Sequence, residues 1–308
     1  ASICKRPMRR VIIPLTQMGA KITAEQDEFA PLQIVGGQKL QAINYVMPIA
    51  SAQVKSAILL ADLYAGGTSR VMSPQTCRDH TEIMLQYFAQ ETVTEINLNI
   101  PGDLSAAAFF MVGACITPGA DILLCNVGIN PTRAAVLEIL CQMGAEIACE
   151  NVRQQHGELR ADLRVRYTRK LRAIEFPTEL VANAIDEIPI LCLAAACAEG
   201  TTVIRGASEL RHKESDRISM LAQGFTKLGI EVNEFSDGLA ITGGVISGGE
   251  VASGGDHRIA MTFAMAGLVA QHAIIVQDTA HIATSFPGFV QVAQQAGMQI
   301  EELIPCPM

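Results

Sequence analysis

Residues 103–125, DLSAAAFFMVGACITPGADILLC, contain the pattern that decides the fold. Asp103 precedes a run of small and apolar residues, and Gly119 separates this run from the apolar segment Asp121 to Cys125. Aspartate is a preferred N-cap residue, and a glycine just beyond a helix is typical of its closing turn. The stretch therefore predicts a capped apolar helix, a turn and a strand.

The same element occurs three more times along the chain. Each copy has a polar residue at the expected helix start, an apolar helix, a turn and a short strand. The other copies are Ser51 to Ala65 with strand Thr68 to Met72, Asp186 to Ala198 with strand Thr201 to Ile204, and Asp256 to Ala270 with strand Ala273 to Val276. Internal repetition of this kind indicates a fold built from similar units.

A second element alternates with the first: an amphipathic helix that is closed by a glycine and followed by a strand. The closing glycines are Gly19, Gly144, Gly229 and Gly297, and a strand is expected directly after each. The repeating unit is then strand, helix, strand, helix, strand, over about 65 to 85 residues. Because the helices are too apolar for a surface, we expect an α/β protein in which helices form a shared core with sheets outside.

The repeats also predict the domain limits. Residues 1–22 contain only the later half of a unit, so the chain is expected to begin within a repeat. A full unit ends near Asn97, and Pro101 and Gly102 begin the next. We therefore expect a partial first domain over residues 1–97 and a second domain of three units over residues 98–308.

Composition excludes several classes of protein. The 308 residues are 49% hydrophobic and 18% charged, which excludes disorder, and the net charge of −8 gives no attraction to nucleic acid. The longest apolar stretches, Leu104 to Ile116 and Ile188 to Ala198, are too short to span a membrane. Neither nucleic acid nor a membrane is therefore an expected partner.

The cysteines do not form a metal-binding or disulfide pattern. Their number is nine, no CxxC pair occurs, and no histidine lies at ligand spacing. Cys115, Cys141, Cys192 and Cys197 lie inside apolar helical patterns, so we expect reduced thiols in the core.

The repeats predict where a ligand binds. If the first helices of the units point the same way, several helix N-termini converge, and such ends attract anions through unpaired N–H groups and partial positive charge. Ser51, Asp186 and Asp256 stand at those starts. Capping alone would explain these residues, but it would not explain the arginines nearby.

Residues 209–217 form the densest charged stretch. If a helix begins near Lys213, then Lys213 and Arg217 share a face and Glu214 lies about 100° aside. Two cations beside a carboxylate suit a phosphate or carboxylate ligand that also needs a proton. A solvated helix start with a capping pair would give the same spacing.

Six strings, in order along the chain, resemble the signature segments of the EPSP synthase (5-enolpyruvylshikimate-3-phosphate synthase) family. They are Lys5-Arg6-Pro7-Met8, residues 48–57 (PIASAQVKSA), Arg78-Asp79-His80-Thr81, Asp186-Glu187-Ile188-Pro189, Lys213-Glu214-Ser215-Asp216-Arg217 and residues 256–261 (DHRIAM). The string at residues 282–287 (IATSFP) is similar to the class II branch. The resemblance extends over the whole chain but leaves out the N-terminal quarter of a typical member, so the chain alone is expected to be inactive.

For the fold, the resemblance implies a two-domain inside-out α/β barrel of repeated βαβαββ units. Helix N-termini would face a cleft between the domains, and the later domain would lack the family's N-terminal strand. For activity, it implies transfer of the enolpyruvyl group of phosphoenolpyruvate to the 5-hydroxyl of shikimate 3-phosphate. It implies no metal and no organic cofactor, small-molecule partners only, a monomer and a cytoplasmic location.

The resemblance also assigns site residues. Asp186 is the implied base and Glu214 the implied carrier of the methyl proton. The residues implied to hold shikimate 3-phosphate are Ser51, Ala52, Gln53, Arg78, Asp186 and Lys213. Those implied to hold phosphoenolpyruvate are Arg6, Gln53, Arg217 and Arg258, since arginine binds planar oxyanions in a bidentate manner.

Two alternatives stay open. The same fold serves UDP-N-acetylglucosamine enolpyruvyltransferase, although Cys4 and Cys77 do not stand in the context of its catalytic thiol. The chain could also be a non-catalytic remnant that binds anions or has a structural role.

Overall fold

The computed structural model describes residues 6–90 and 97–303, and these divide into two units. The first unit contains the described residues up to Leu98 together with His156–Glu158. The second contains Asn99–Gln155 and the described residues from Leu159 onwards. The assignment of residues 98–308 to three repeats stays a prediction.

In the first unit, three helices alternate with short strands. The elements are α1 (Arg9–Gln17), β1 (Lys21–Glu25), β2 (Phe29–Val35), β3 (Leu40–Gln41), β4 (Asn44–Val46), α2 (Ala52–Asp62), β5 (Ala65–Gly66), β6 (Arg70–Met72) and α3 (His80–Gln90). Strands β1 and β2 pair antiparallel, whereas β3 with β5 and β4 with β6 pair parallel. A small core of Met18, Met47, Val54 and Ile58 lies between α1, α2 and the strands.

The second unit also combines helices with short strands. Its elements are α4 (Leu104–Ile116), β7 (Asp121–Gly128), α5 (Ala135–Gln142), β8 (Glu146–Gln155), β9 (Glu158–Arg166), α6 (Thr178–Val181), α7 (Ile188–Ala196), β10 (Thr201–Ile204), α8 (Arg217–Lys227), β11 (Glu231–Phe235), β12 (Gly238–Thr242), β13 (Gly249–Ala252), α9 (His257–Ala266), β14 (Ile274–Gln277), α10 (Ile282–Ser285) and α11 (Phe289–Gln295). Short 3-10 turns at Ser208–His212 and Thr279–His281 precede α8 and α10.

The sheets of the second unit contain two or three strands each. Strands β7, β9 and β8 form one sheet, β10, β12 and β11 a second, and β13 and β14 a parallel pair. Helix α4 packs on β7, α7 on β12 and α9 on β14, while the three helices pack on one another. This arrangement confirms the predicted α/β class and the central position of the apolar helices.

The helical core explains the composition of those helices. Helix α7 is buried at every position, and α4 at all positions except Ala106, so neither helix has a polar face. Helices that are apolar on all sides are stable only inside a core. Phe225 of α8 packs edge-on against Phe263 of α9, with ring centroids 5.2 Å apart.

Two local predictions were wrong. The segment after Gly297 is not a strand: residues 298–303 have no regular structure, although Gly297 makes the expected turn with a φ of +93°. Cys141 is exposed, because it lies on the outer face of the short helix α5, whereas Cys115 and Cys192 are buried as expected. The seven cysteines within the described residues are all free thiols.

Candidate active site

The N-terminal ends of α4, α7 and α9 meet within the second unit. The Ser105 hydroxyl, in the first turn of α4, donates a hydrogen bond to Oε1 of Glu187, the residue that precedes α7. Nη1 of Arg258, in the first turn of α9, lies 3.6 Å from the same oxygen. The convergence of helix starts that the repeats predict therefore occurs in this unit, where partial positive charge accumulates.

Two of the three starts are capped as the sequence predicts. The Asp103 carboxylate accepts from the Ser105 amide at 3.1 Å, and the Asp256 carboxylate accepts from the Arg258 amide at 2.9 Å. Asp186 is different, because Glu187 holds the cap position of α7 and makes no capping bond with its side chain. The interpretation of Asp186 as the cap of α7 was therefore wrong.

The Asp186 carboxylate faces two cations. Its Oδ1 lies 3.7 Å from Nζ of Lys213 and 3.6 Å from Nη1 of Arg217. These distances are those of ion pairs rather than of short hydrogen bonds. The Asp186 side chain is 19% exposed, so a ligand can reach its carboxylate from solvent.

Helix α8 begins later than predicted. Arg217 is its first residue, and Asp216 caps it by accepting from the Ser219 amide at 3.0 Å. Lys213 has an extended backbone after the 3-10 turn, so the condition that a helix begins near Lys213 is not met. Lys213 and Arg217 nevertheless both lie close to the carboxylate of Asp186.

Arg217 is the buried centre of this cluster, with 1% of its side chain exposed. Its Nε donates to Oδ2 of Asp256 at 2.8 Å, and its Nη2 donates to Oε2 of Glu214 at 2.7 Å. Burial acts to raise the pKa of Asp256, but the Arg217 guanidinium and the Arg258 amide outweigh it, and the pKa lies below its ordinary value. Arg217 thus joins the cap of α9 to the carboxylates of Glu214 and Asp186.

Arg258 contacts the turn before α7. Its Nη1 donates to the backbone carbonyl of Asp186 at 2.8 Å. The neighbouring His257 is half-buried, and burial together with the nearby Arg258 and Arg217 lowers its pKa. His257 is therefore disfavoured as an additional cation at neutral pH.

Three site residues were missed by the sequence reasoning: Ser105, Arg133 and Glu187. Arg133 donates from Nη2 to the Ser105 hydroxyl, and the same nitrogen lies 3.5 Å from Oε1 of Glu187. Glu187 was visible only as part of the string after Asp186, and Ser105 and Arg133 carried no local signal. Their positions depend on contacts between segments 82 residues apart.

The first unit holds the other predicted residues. Ser51 caps α2, with its hydroxyl 3.5 Å from the Val54 amide that donates to it, and in the first turn Ala52 is half-buried and Gln53 exposed. A hydrogen bond of 2.6 Å between Ser56 and Thr81 ties α2 to the first turn of α3, and Lys55 forms an ion pair with Glu82. Arg78 is half-buried just before α3.

Arg6 is half-buried at the start of the described chain, while Lys5 of the same motif lies outside the described residues. The ten predicted site residues are thus divided between the two units. Those of the first unit are Arg6, Ser51, Ala52, Gln53 and Arg78, and those of the second are Asp186, Lys213, Glu214, Arg217 and Arg258. In the second unit the structure brings all five together.

The second-unit cluster can perform acid–base chemistry on an anion. Asp186 and Glu214 both contact Arg217, so two carboxylates lie on either side of one cation. Lys213 and Arg258 add positive charge from two other directions. Within residues 6–90 and 97–303, no three His, Cys, Asp or Glu side chains are grouped so that they could hold a metal ion, and no helix is long and apolar enough to cross a membrane.

Comparison with known proteins identifies the same family that the six sequence strings resemble. The family model described as EPSP synthase (3-phosphoshikimate 1-carboxyvinyltransferase) matches residues 1–293. The 3-phosphoshikimate 1-carboxyvinyltransferase of Legionella pneumophila strain Corby is 51% identical over 315 residues, which cover 98% of this chain and 72% of that protein.

Two solved structures show the same fold. The EPSP synthase of Acinetobacter baumannii superposes with a TM-score of 0.86 at 48% identity, covering 96% of this chain and 72% of that one. The enolpyruvyl transferase NikO of Streptomyces tendae gives a TM-score of 0.73 at 16% identity, covering 94% and 71% of the respective chains. At this low identity the second likeness concerns the fold alone.

Proposed function

The chain belongs to the EPSP synthase family, and from this premise we propose that the protein is a 3-phosphoshikimate 1-carboxyvinyltransferase. It transfers the enolpyruvyl group of phosphoenolpyruvate to the 5-hydroxyl of shikimate 3-phosphate and releases inorganic phosphate. The reaction belongs to the shikimate pathway, which supplies aromatic amino acids. Both substrates are anions, which suits the convergence of helix starts and cations.

One observation carries the proposal. Within the second unit, Lys213 and Arg217 lie within 3.7 Å of a single carboxylate oxygen of Asp186, while Arg258 binds the carbonyl of the same residue. Two cations therefore face the Asp186 carboxylate, and a third binds the backbone carbonyl of the same residue. Cations that approach from three directions suit anionic ligands, and the carboxylate suits the removal of a proton from one of them.

The proposed base is Asp186, which takes the proton of the 5-hydroxyl as that oxygen bonds to the central carbon of phosphoenolpyruvate. In the same step the methylene carbon gains a proton and becomes a methyl group. The resulting tetrahedral intermediate loses phosphate when the methyl group returns a proton, and the enol ether double bond forms. A carboxylate next to two cations, with part of its surface exposed, can perform the first transfer.

Glu214 is the proposed carrier of the methyl proton. Its Oε2 accepts from Arg217 at 2.7 Å, which fixes the carboxyl group next to the cation that would bind phosphoenolpyruvate. The two proposed proton carriers thus share a neighbour, Arg217, and act on different atoms of the same intermediate. Two carboxyl groups with separate tasks are a common solution for reactions that need both an acid and a base.

Phosphoenolpyruvate is proposed to bind to Arg217 and Arg258 of the second unit and to Arg6 and Gln53 of the first. Because Arg217 already pairs with Glu214 and Asp256, an incoming carboxylate or phosphate would compete with or extend those pairs. Arg258 lies at the start of α9, where the helix end adds to the attraction for an anion.

Shikimate 3-phosphate is proposed to bind to Ser51, Ala52, Gln53 and Arg78 of the first unit and to Asp186 and Lys213 of the second. The first turn of α2 carries backbone N–H groups and a serine at the cap, a usual setting for phosphate. We further propose that the protein acts as a cytoplasmic monomer without a metal or an organic cofactor, and that it binds neither nucleic acid nor a membrane.

Calorimetry with the purified full-length protein tests the proposal, since these 308 residues contain no Trp whose fluorescence could report binding. Shikimate 3-phosphate is titrated with and without phosphoenolpyruvate, and phosphate release is measured with both present. We expect each ligand to tighten the binding of the other and phosphate to appear only with both. Binding without phosphate release would favour the non-catalytic alternative, and turnover with UDP-N-acetylglucosamine in place of shikimate 3-phosphate would favour the other enzyme.

A further inference from the structure

Glu187 is a buried carboxyl group at the centre of the second-unit cluster. It follows Asp186 directly, precedes α7, and has 1% of its side chain exposed. The Ser105 hydroxyl donates to its Oε1, so a side chain from the first turn of α4 holds the residue in place. Glu187 makes none of the proposed contacts with substrate.

Two guanidinium groups flank the same oxygen of Glu187. Nη2 of Arg133 lies 3.5 Å from Oε1, and Nη1 of Arg258 lies 3.6 Å from it. Arg133 also donates to Ser105. Residues from four separate segments are therefore joined in the order Arg133, Ser105, Glu187 and Arg258.

Burial of a carboxyl group at this position costs free energy. Burial raises the pKa of Glu187, although Arg258 and Arg133 act in the opposite direction. Its Oε2 makes no hydrogen bond with any residue of the described parts of the chain. Because a well-packed apolar side chain often serves stability equally well at such a place, stability alone does not account for this carboxyl group.

The turn before α7, which Glu187 anchors, contains the proposed base Asp186 and also binds Arg258. The Glu187 amide donates to the Ala184 carbonyl at 2.8 Å, so the backbone on both sides of Asp186 is held. The Asp186 carbonyl is the acceptor for Arg258 at 2.8 Å. A displacement of Glu187 would therefore move the Asp186 carbonyl and remove one of the two acceptors that orient Arg258.

We propose that Glu187 is a positioning residue for enolpyruvyl transfer: anchored by Ser105 and Arg133, it holds Arg258 in the orientation that binds phosphoenolpyruvate. This inference rests on the proposed function, because it concerns the same site. Glu187 acts through Arg258 and through the turn before α7, whereas Asp186 and Glu214 act on the substrates themselves.

The test is the substitution Glu187→Gln, which keeps the shape of the side chain and removes its charge. We expect the KM for phosphoenolpyruvate to rise about tenfold, while the KM for shikimate 3-phosphate changes less than about twofold. The matched control is Glu199→Gln, since Glu199 lies beyond the opposite end of α7 and forms an exposed ion pair with Lys170. The control should leave both KM values unchanged.

A purely structural role would lower the melting temperature of Glu187→Gln and leave the ratio of the two KM values unaltered, which would overturn the inference. A fall in the KM for phosphoenolpyruvate would also overturn it, because Glu187 would then act only as a charge that repels anions.

If the variant does not fold, Ser105→Ala provides the same test, as it removes the hydroxyl bridge between Glu187 and Arg133 at small cost in volume. A rise of about threefold in the same KM is expected there, and no change contradicts the inference.

These outcomes separate the two proposals. If the unsubstituted protein neither binds phosphoenolpyruvate in the presence of shikimate 3-phosphate nor releases phosphate, the proposed function fails. If the unsubstituted protein is active and the variants retain its KM ratio, only the role of Glu187 fails.

Discussion

Nε of Arg217 donates to Oδ2 of Asp256 at 2.8 Å, and both side chains are buried, with 1% and 0% of their surface exposed. The pair joins the first residue of α8 to the cap of α9. Removal of the charge on Asp256 takes the buried partner from Arg217 and leaves it only the partly exposed Glu214 and Asp186, and loss of one partner of a buried ion pair costs several kcal/mol. We therefore predict that Asp256→Asn lowers the free energy of unfolding by about 3 kcal/mol, measured by urea denaturation at neutral pH.

The control for this substitution is Asp121→Asn. Asp121 pairs with Arg164 on an exposed sheet surface, where solvent screens the interaction. The loss of stability there should be much smaller than for Asp256→Asn. Equal losses in the free energy of unfolding would show that the buried pair stabilises the protein no more than the exposed pair does.

The stability of the protein should depend on pH through Glu187. Burial raises the pKa of this carboxyl above its ordinary value of 4.5, so the folded protein binds the proton more tightly than the unfolded chain does. The stability that this group contributes is present below the ordinary pKa and is lost as the pH rises through the raised one. Relative to Glu187→Gln, the unsubstituted protein should therefore become less stable as the pH increases.

The measurement is urea denaturation of both proteins at steps between about pH 4 and pH 8. The difference between their free energies of unfolding is the quantity of interest, since other titrating groups contribute equally to both. A difference that stays constant, or that changes in favour of the unsubstituted protein at higher pH, would contradict the raised pKa.

A close approach between α8 and α9 gives a prediction about packing. A methyl group at Gly224 would lie 2.0 Å from the ring of Phe263, which is fully buried. Although alanine is the better helix former, the clash should dominate, and Gly224→Ala should lower the free energy of unfolding by about 1–3 kcal/mol. Differential scanning calorimetry measures the accompanying fall in melting temperature.

Gly288→Ala is the control for that substitution, since a methyl group at Gly288 would meet open space in the same unit. Its melting temperature should stay close to that of the unsubstituted protein. If Gly224→Ala is equally harmless, α8 and α9 have room to separate and the packing described here is not rigid.

The repeated elements could be predicted from the sequence because their signals are local. Asp103 and Asp256 stand directly before apolar runs, and a carboxylate at that position accepts from amides only two or three residues away. Gly144 and Gly229 adopt positive φ angles after α5 and α8, as glycines at helix ends commonly do. The α/β class followed from these patterns.

The start of α8 was misjudged because two local signals compete there. The charged residues from Lys213 onwards fit a helix face, but Asp216 is the residue that caps the helix. The preceding segment instead takes the 3-10 turn and extended geometry that bring Lys213 to Asp186.

The link between Ser105, Arg133 and Glu187 could not be predicted, because it depends on how three distant segments pack. Each residue by itself has an ordinary local explanation. Ser105 fits the first turn of a helix, Arg133 a loop, and Glu187 a helix start. Only the folded unit places them around one carboxyl oxygen.

The most direct test of the account is the turnover number of Asp186→Asn with saturating shikimate 3-phosphate and phosphoenolpyruvate. Asp186 is not the cap of α7, so the substitution should damage turnover far more than folding, which the melting temperature reports. Loss of the base is expected to lower turnover by about 10²- to 10⁴-fold. Turnover close to that of the unsubstituted protein would contradict the proposal that this carboxylate, held beside Lys213 and Arg217, removes the proton of the 5-hydroxyl.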